Sequence, residues 1–117
     1  MTDYDYIYVI PMRGKPKQRP RVAGKRAYMT KEYTAWKLDL KNRLLAKRAR
    51  RVKGAVELDI QFMFRGGRIG DIDNLAGGVM DAANGILYRD DKQVVELRAV
   101  KYDQSLEDQI IIKVRGE

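Results

Sequence analysis

The sequence centres on one stretch, Asp71-Ile-Asp-Asn-Leu-Ala-Gly-Gly-Val-Met-Asp-Ala-Ala-Asn-Gly-Ile-Leu-Tyr-Arg-Asp-Asp91, which holds five of the chain's sixteen acidic residues. Four of them form two tight clusters, Asp71 with Asp73 and Asp90 with Asp91, joined by a short apolar segment that predicts a helix. Such a gathering of acids is unexpected in a protein of net charge +8. Carboxylates that converge from two chain segments repel each other unless a cation lies among them, so the pattern indicates a metal site.

Mg²⁺ is the cation that this pattern favours. It takes oxygen ligands in an octahedron and is typically held by a few carboxylates together with substrate phosphate. Asp71 and Asp73 before the predicted helix and Asp91 after it supply such ligands, provided that the turn folds the second cluster back towards the first. A bound metal would lower the pKa of a coordinated water and orient a phosphodiester for attack. The alternative is a helix cap and a turn without any metal, which the acid spacing alone leaves open.

The positive charge of the chain is concentrated in its front half. Residues 12–53 carry sixteen Lys or Arg and only two acids, a net charge of +14, whereas the remaining residues together carry a net charge of −6. Segregation on this scale indicates a polyanionic partner, because each Lys or Arg that contacts a phosphate adds salt-dependent affinity. The sequence therefore predicts nucleic-acid binding, with a merely well-solvated basic protein as the alternative.

The loop over residues 12–29 is the main candidate for that contact. Gly14, Pro16, Pro20 and Gly24 interrupt regular structure, and an extended backbone between them would place alternating basic side chains on one side. The predicted DNA-contact residues are Lys15, Lys17, Arg19, Arg21, Lys25 and Arg26. The alternative is a solvated loop without a partner.

Composition restricts the chemistry that is possible. The chain contains no Cys and no His, so a thiolate metal site, an imidazole ligand and a Ser-His-Asp triad are all excluded. Its 117 residues and hydrophobic content of 44% fit a soluble protein, which we expect to form one domain over residues 1–117. No apolar run reaches the roughly 20 residues that a membrane span requires, and the N-terminus lacks the order of a signal peptide. We therefore expect a cytoplasmic setting.

Hydrophobic periodicity outlines the fold. It predicts strands at residues 4–10, 56–64, 93–101 and 110–114, and helices at about 30–47 and 74–84. Thr30 and Asp73 are the predicted N-caps, and residues 103–108 are predicted to be a turn that joins the last two strands as an antiparallel hairpin. Gly77 and Gly78 inside the second helix each cost about 1 kcal/mol relative to Ala, which close approach to the sheet or to another chain would offset. The predicted class is α+β, with a small mixed or antiparallel sheet of about four strands and two main helices.

Several runs of this sequence match a known family. They are Asp71-Ile-Asp-Asn-Leu75, Asp81-Ala-Ala-Asn-Gly-Ile-Leu-Tyr88, Asp90-Asp-Lys-Gln-Val-Val95 and, upstream, Pro16-x-x-Arg-Pro-Arg21 with the region of Tyr28. On these residues the chain resembles the RusA-like Holliday-junction resolvases, crossover-junction endodeoxyribonucleases of bacteria and their prophages. The resemblance covers most of the chain, and its central motif is long and specific.

The resemblance implies a homodimer that binds branched double-stranded DNA at four-way junctions and makes paired, symmetric nicks in DNA recombination and repair. It implies Mg²⁺ as the cofactor, with Mn²⁺ able to substitute, and it makes Asp71, Asp73 and Asp91 the catalytic, metal-binding aspartates. A two-fold dimer would present two sites to opposed strands of one junction, which symmetric resolution requires. The expected location is the cytoplasm of a bacterial or phage-infected bacterial cell.

One departure from the family concerns a basic residue. Many members carry a Lys inside the helix where this chain has Gly77, and that Lys would stabilise charge on the phosphorane or contact the scissile strand. Arg89 and Lys92 are candidate substitutes. The departure keeps a second hypothesis open, a non-catalytic nucleic-acid-binding protein that is either a decayed resolvase or an RNA-binding module. A third, a Ca²⁺ protein without nucleic acid, leaves the +14 segment unexplained and fails the EF-hand pattern at Leu75 and Ala76.

Overall fold

The computed structural model describes residues 3–18, 21–24 and 26–116. In chain order these form β1 (Tyr6–Ile10), β2 (Arg21–Ala23), β3 (Arg26–Tyr28), α1 (Lys31–Ala46), β4 (Val56–Arg65), α2 (Ile72–Ala83), a 3₁₀ turn (Asp91–Gln93), β5 (Val94–Tyr102) and β6 (Gln104–Arg115). The α+β class with a four-stranded mixed sheet and two helices is confirmed. None of the helices in the described part has the length and apolar character needed to cross a membrane.

The sheet is organised around β4. Its strand order is β1-β6-β4-β5, and β2 and β3 pair in a separate small hairpin within the segment predicted as a loop. β4 runs antiparallel to β6 on one side and parallel to β5 on the other. The parallel pair exists because α2 carries the chain back from the end of β4 to its start. Alternate residues of β4, such as Ile60 and Phe62, are buried in one core with Leu40 of α1 and Val79 of α2, so both helices cover the same sheet face.

α1 follows the sequence prediction closely. The Thr30 side chain accepts a hydrogen bond from the backbone N–H of Tyr33 and caps the helix. Tyr33, Leu40 and Leu44 are fully buried. The Tyr33 hydroxyl donates to Asp81 Oδ2 at 2.8 Å, and burial together with this bond raises the pKa of Tyr33. This hydrogen bond therefore links α1 to α2, and the Tyr33 side chain that makes it is uncharged.

The predicted hairpin of the last two strands is wrong, because β4 lies between β5 and β6. Residues 103–108 are not a turn either, since β6 begins at Gln104. The polar residues of this segment suggested a turn, but they belong to the strand. Asp108 Oδ1, for example, accepts hydrogen bonds from the backbone N–H of Arg65 and from Arg13 Nη1. Strand pairing here depends on contacts that no local pattern reveals.

The start of α2 also differs from the prediction. The helix begins at Ile72, so Asp71 occupies the N-cap position and Asp73 lies inside the first turn. The helix continues to Ala83, close to the predicted end.

The two glycines inside α2 differ in what surrounds them. A Cβ added at Gly78 would lie 2.6 Å from the carbonyl oxygen of Lys15 and 3.3 Å from Trp36, whereas one added at Gly77 would meet Lys17 Cδ at 3.4 Å, an ordinary contact. Close approach therefore occurs at Gly78, but the neighbours are the loop at Lys15 and α1 at Trp36 rather than the expected sheet or second chain.

We expect Gly78→Ala to lower the free energy of unfolding by about 1–3 kcal/mol, because the added methyl group overpacks this contact. Gly77→Ala is the matched control, and we expect it to raise the free energy of unfolding by up to about 1 kcal/mol through helix propensity. Urea denaturation measures both. Equal effects of the two substitutions would contradict the packing described.

Candidate metal and nucleic-acid site

The two acidic clusters lie at opposite ends of α2. Asp71 and Asp73 are exposed at its N-terminus. Asp91 begins the 3₁₀ turn and acts electrostatically on Tyr88, whose hydroxyl donates to the carbonyl oxygen of Met80 at 2.9 Å, in the last turn of the helix. With a rise of 1.5 Å per residue, Asp73 and Met80 are about 10 Å apart along the helix axis. The turn thus brings the second cluster to the far end of α2.

One chain does not gather the three predicted ligands. Across the described ranges, no group of three acidic side chains is close enough to hold a metal ion. Asp71 and Asp73 are neighbours at one end of the helix, and Asp91 is at the other. The assignment of all three carboxylates to one ion stays a prediction.

At each end of α2, at least one carboxylate oxygen lacks a hydrogen bond that the fold would be expected to supply. Asp91 Oδ1 is buried and accepts no hydrogen bond from the described residues, and an unsatisfied buried acceptor typically costs about 1–3 kcal/mol. Asp71 occupies an N-cap position, yet its side chain makes no capping bond. Asp90, in contrast, is committed to a capping box with Gln93 and accepts from the backbone N–H of Lys92. Asp71 and Asp91 therefore fit a cation-binding role that Asp90 does not.

The loop between β4 and Asp71 is held in place by Arg13. Its guanidinium donates to the carbonyl oxygens of Gly66 at 2.7 Å and Arg68 at 2.9 Å, and it pairs with Asp108 at 2.8 Å. Five hydrogen-bond donors in a fixed planar arrangement allow one Arg to make all three contacts. Sequence reasoning treated Arg13 only as part of a basic segment and missed this positioning role.

The last residue before Asp71 is fixed from two further sides. Gly70 has a φ of +89°, in the left-handed region that favours glycine, and a Cβ there would lie 2.5 Å from Pro16. Its carbonyl oxygen accepts from Lys101 Nζ, at the end of β5, at 2.8 Å. The position of Asp71 is therefore set by the basic loop and by β5 together.

The basic loop packs directly on the N-terminal half of α2. The backbone N–H of Lys17 donates to the carbonyl oxygen of Asn74 at 2.7 Å, and its side chain lies against Gly77. Trp36 Nε1 donates to the carbonyl oxygen of Arg13 at 2.7 Å and anchors the start of the loop to α1. A cavity of about 250 Å³ lies here, lined by Arg13, Gly14, Lys15, Pro16, Trp36, Arg68 and Ile69.

The predicted DNA-contact residues are only partly described. Lys15 and Lys17 lie beside the middle of α2, against Gly78 and Gly77 respectively. Arg19 and Lys25 lie outside the described residues, and so do the side chains of Arg21 and Arg26.

A second basic cavity adjoins the Asp91 end. It has a volume of about 410 Å³ and is lined by Arg51, Val52, Lys53, Arg89 and Gln93. The basic residues after α1 are evident in the sequence. Their proximity to Arg89 depends on the β-bridge between Val52 and Tyr88, which the sequence does not reveal. Both acidic clusters thus have basic residues beside them.

Comparison with known proteins identifies the family of this chain. Residues 11–115 match the family described as "Endodeoxyribonuclease RusA", so the match includes the basic loop and both acidic clusters. A segment of 45 residues is 42% identical to the uncharacterized protein YqaN of Bacillus subtilis (strain 168) and covers 38% of this chain and 31% of that protein. With nearly its whole length matched by the family, the chain belongs to the RusA family of endodeoxyribonucleases.

Proposed function

We propose that this protein is a Mg²⁺-dependent endodeoxyribonuclease that resolves four-way DNA junctions, with Mn²⁺ as a substitute cofactor. The observation that carries the proposal is the packing of the basic loop on the acidic motif, where the backbone N–H of Lys17 binds the carbonyl oxygen of Asn74, the residue after Asp73. Phosphates attracted to the loop would lie beside the acids without any change of fold. Membership of the RusA family supports DNA cleavage and a branched DNA substrate.

Asp71, Asp73 and Asp91 are the residues that would hold the ion. When bound, the ion would lower the pKa of a coordinated water and stabilise the leaving oxygen. The chain's other groups position the reactants: Lys15 and Lys17 would contact phosphates beside α2, while Arg13 fixes the loop before Asp71. Arg51, Lys53 and Arg89 would extend the phosphate contact to the Asp91 end.

The separation of the acids is the reason to place the active site in a homodimer. A two-fold dimer can bring the Asp91 end of one copy to the Asp71 and Asp73 end of the other, and symmetry makes this happen twice. Two such sites would face opposed strands of one junction, as paired nicks require. A cation between the carboxylates would also remove their mutual repulsion.

We expect Asp71→Asn and Asp91→Asn each to lower cleavage of a synthetic four-way junction by more than about 100-fold in Mg²⁺, because a neutral amide replaces a metal-binding carboxylate. Junction affinity measured by gel shift should persist. Asp90→Asn is the matched control and should cut normally, since Asp90 serves a capping box.

Normal cleavage by Asp71→Asn and Asp91→Asn would reject the site assignment. Binding by the wild-type protein without cutting in Mg²⁺ or Mn²⁺ would instead establish the non-catalytic alternative, for which Gly77 is the specific observation. Refolding the Asp71→Asn and Asp91→Asn variants together distinguishes a site shared between two chains from a site within one chain. If the acids act across the dimer, mixed dimers contain one intact site and regain single-strand nicking, whereas acids acting within one chain leave the mixture inactive.

Lys17 is our candidate for the Lys that many family members carry in the helix. Its side chain lies against Gly77, whereas Arg89 lines the cavity at the Asp91 end. We expect Lys17→Ala to lower the single-turnover cleavage rate at saturating enzyme by about 100-fold, the usual effect of removing one donor to transition-state charge.

The double variant Lys17→Ala, Gly77→Lys should recover most of that rate, because it returns an ammonium group to the same side of α2. Lys15→Ala serves as a control for general phosphate contact and should mainly weaken binding and reduce its salt dependence. A double variant that cuts no faster than Lys17→Ala alone would remove Lys17 from this role.

A further inference from the structure

β5 is an edge strand with exposed apolar and charged side chains. It is the last strand in the sheet order and spans nine residues without a proline. Val95 is 66% exposed and Leu97 43% exposed, and the Arg98 side chain is 71% exposed. The register against β4 shifts between Val94 and Glu96, so Val95 forms a bulge, and the strand pairs regularly from Glu96 onwards. An open edge is a template for another strand, and charged side chains protect it unless the incoming strand supplies opposite charges. From Glu96 to Tyr102, β5 is therefore an open edge that a strand of complementary charge can join.

The sequence of β5 is self-complementary about Leu97. When the regular parts of two copies of the strand pair antiparallel with Leu97 opposite itself, Glu96 of each copy faces Arg98 of the other. Opposite charges and apolar side chains that face each other across antiparallel strands stabilise the pair. A two-fold axis repeats every one of these contacts.

The charges of β5 are poorly matched within one chain. Glu96 faces Glu57 across the sheet, and Glu57 is already bonded to Arg115. Hydrogen bonding to Glu57 and the charge of that residue raise the pKa of Glu96. Arg98 lies 3.9 Å from Asp59 and remains largely exposed. A second copy would supply Glu96 with a cation and Arg98 with a second carboxylate.

The other edge of the sheet lacks these features. β1 spans five residues, Tyr6–Ile10, and carries no charged side chain that would fix a pairing register. Its exposed residues, Ile7 and Val9, would be buried equally well in several registers. The charge pattern therefore favours β5 as the edge for a second copy.

We propose that two copies of this chain pair through β5 about a two-fold axis at Leu97 and join their sheets into one of eight strands. The inference rests on the proposed homodimeric function and specifies its interface. In this arrangement the start of β5, which follows Asp91, runs beside the end of β5 in the second copy. There Lys101 binds the carbonyl oxygen of Gly70, next to Asp71.

Single cysteines test the register directly, because the chain has none of its own. Leu97→Cys should form a disulfide-linked dimer under mild oxidation, since residues opposite each other in an antiparallel pair have Cα atoms about 4.5–5.5 Å apart, within disulfide range. Val95→Cys is the matched control on the same strand. Its two thiols would be four residues apart along the ladder, about 13 Å, and should not join.

A charge exchange provides the second measurement. Glu96→Arg places two arginines opposite each other and should shift sedimentation towards monomer, whereas Glu96→Arg with Arg98→Glu should restore the dimer. A disulfide at position 97 but not at 95, with recovery by the double exchange, supports the interface. Equal disulfide formation at both positions, or a stable dimer without a disulfide at 97, overturns it.

Junction cleavage by the wild-type protein separates this result from the proposed function. If the wild-type protein cuts junctions while position 97 does not cross-link, the interface alone is rejected. If position 97 cross-links but neither Mg²⁺ nor Mn²⁺ supports cutting, the interface stands and the nuclease assignment is rejected.

Discussion

The contact between the basic loop and α2 is the constraint on which the rest of the structure depends. It consists of the hydrogen bond from Lys17 to Asn74, the approach of the Lys15 carbonyl oxygen to Gly78 and the packing of Pro16 on Gly70. A side chain at position 78 would keep the loop off the helix. This explains why a glycine, which lowers the stability of a helix, occupies that position. The contact places the most basic part of the chain against its most acidic motif.

The crossover from β4 through α2 to β5 determines where the acids lie. Because a parallel pair requires the chain to return along the sheet, Asp71 and Asp91 must lie near opposite ends of the connecting helix. The separation limits repulsion between carboxylates in the absence of a cation. In the proposed dimer, a site built from both clusters would draw on two copies, so metal binding would be linked to dimer formation. The exposed strand β5, whose charges are self-complementary, is where we propose that the two copies pair.

Local features of the fold could be predicted from the sequence, and long-range ones could not. The cap at Thr30 and the buried alternation of β4 follow from patterns within a few residues, and the structure confirms both. The position of β4 between β5 and β6 depends on the crossover, so adjacent apolar runs wrongly predicted a hairpin. Likewise, the sequence marked Asp71 and Asp91 as unusual acids. It could not show that Arg13 holds the loop before Asp71, because those bonds join residues more than fifty positions apart.

The most direct test of the central claim is the position of Mn²⁺ in a crystal of the wild-type protein with an uncleaved junction, located by its anomalous scattering. The account predicts an ion bound by Asp91 of one copy and by Asp71 and Asp73 of the other, beside a phosphate that contacts the basic loop. An ion that touches none of these aspartates, or a junction bound on a face away from Lys15 and Lys17, would contradict it.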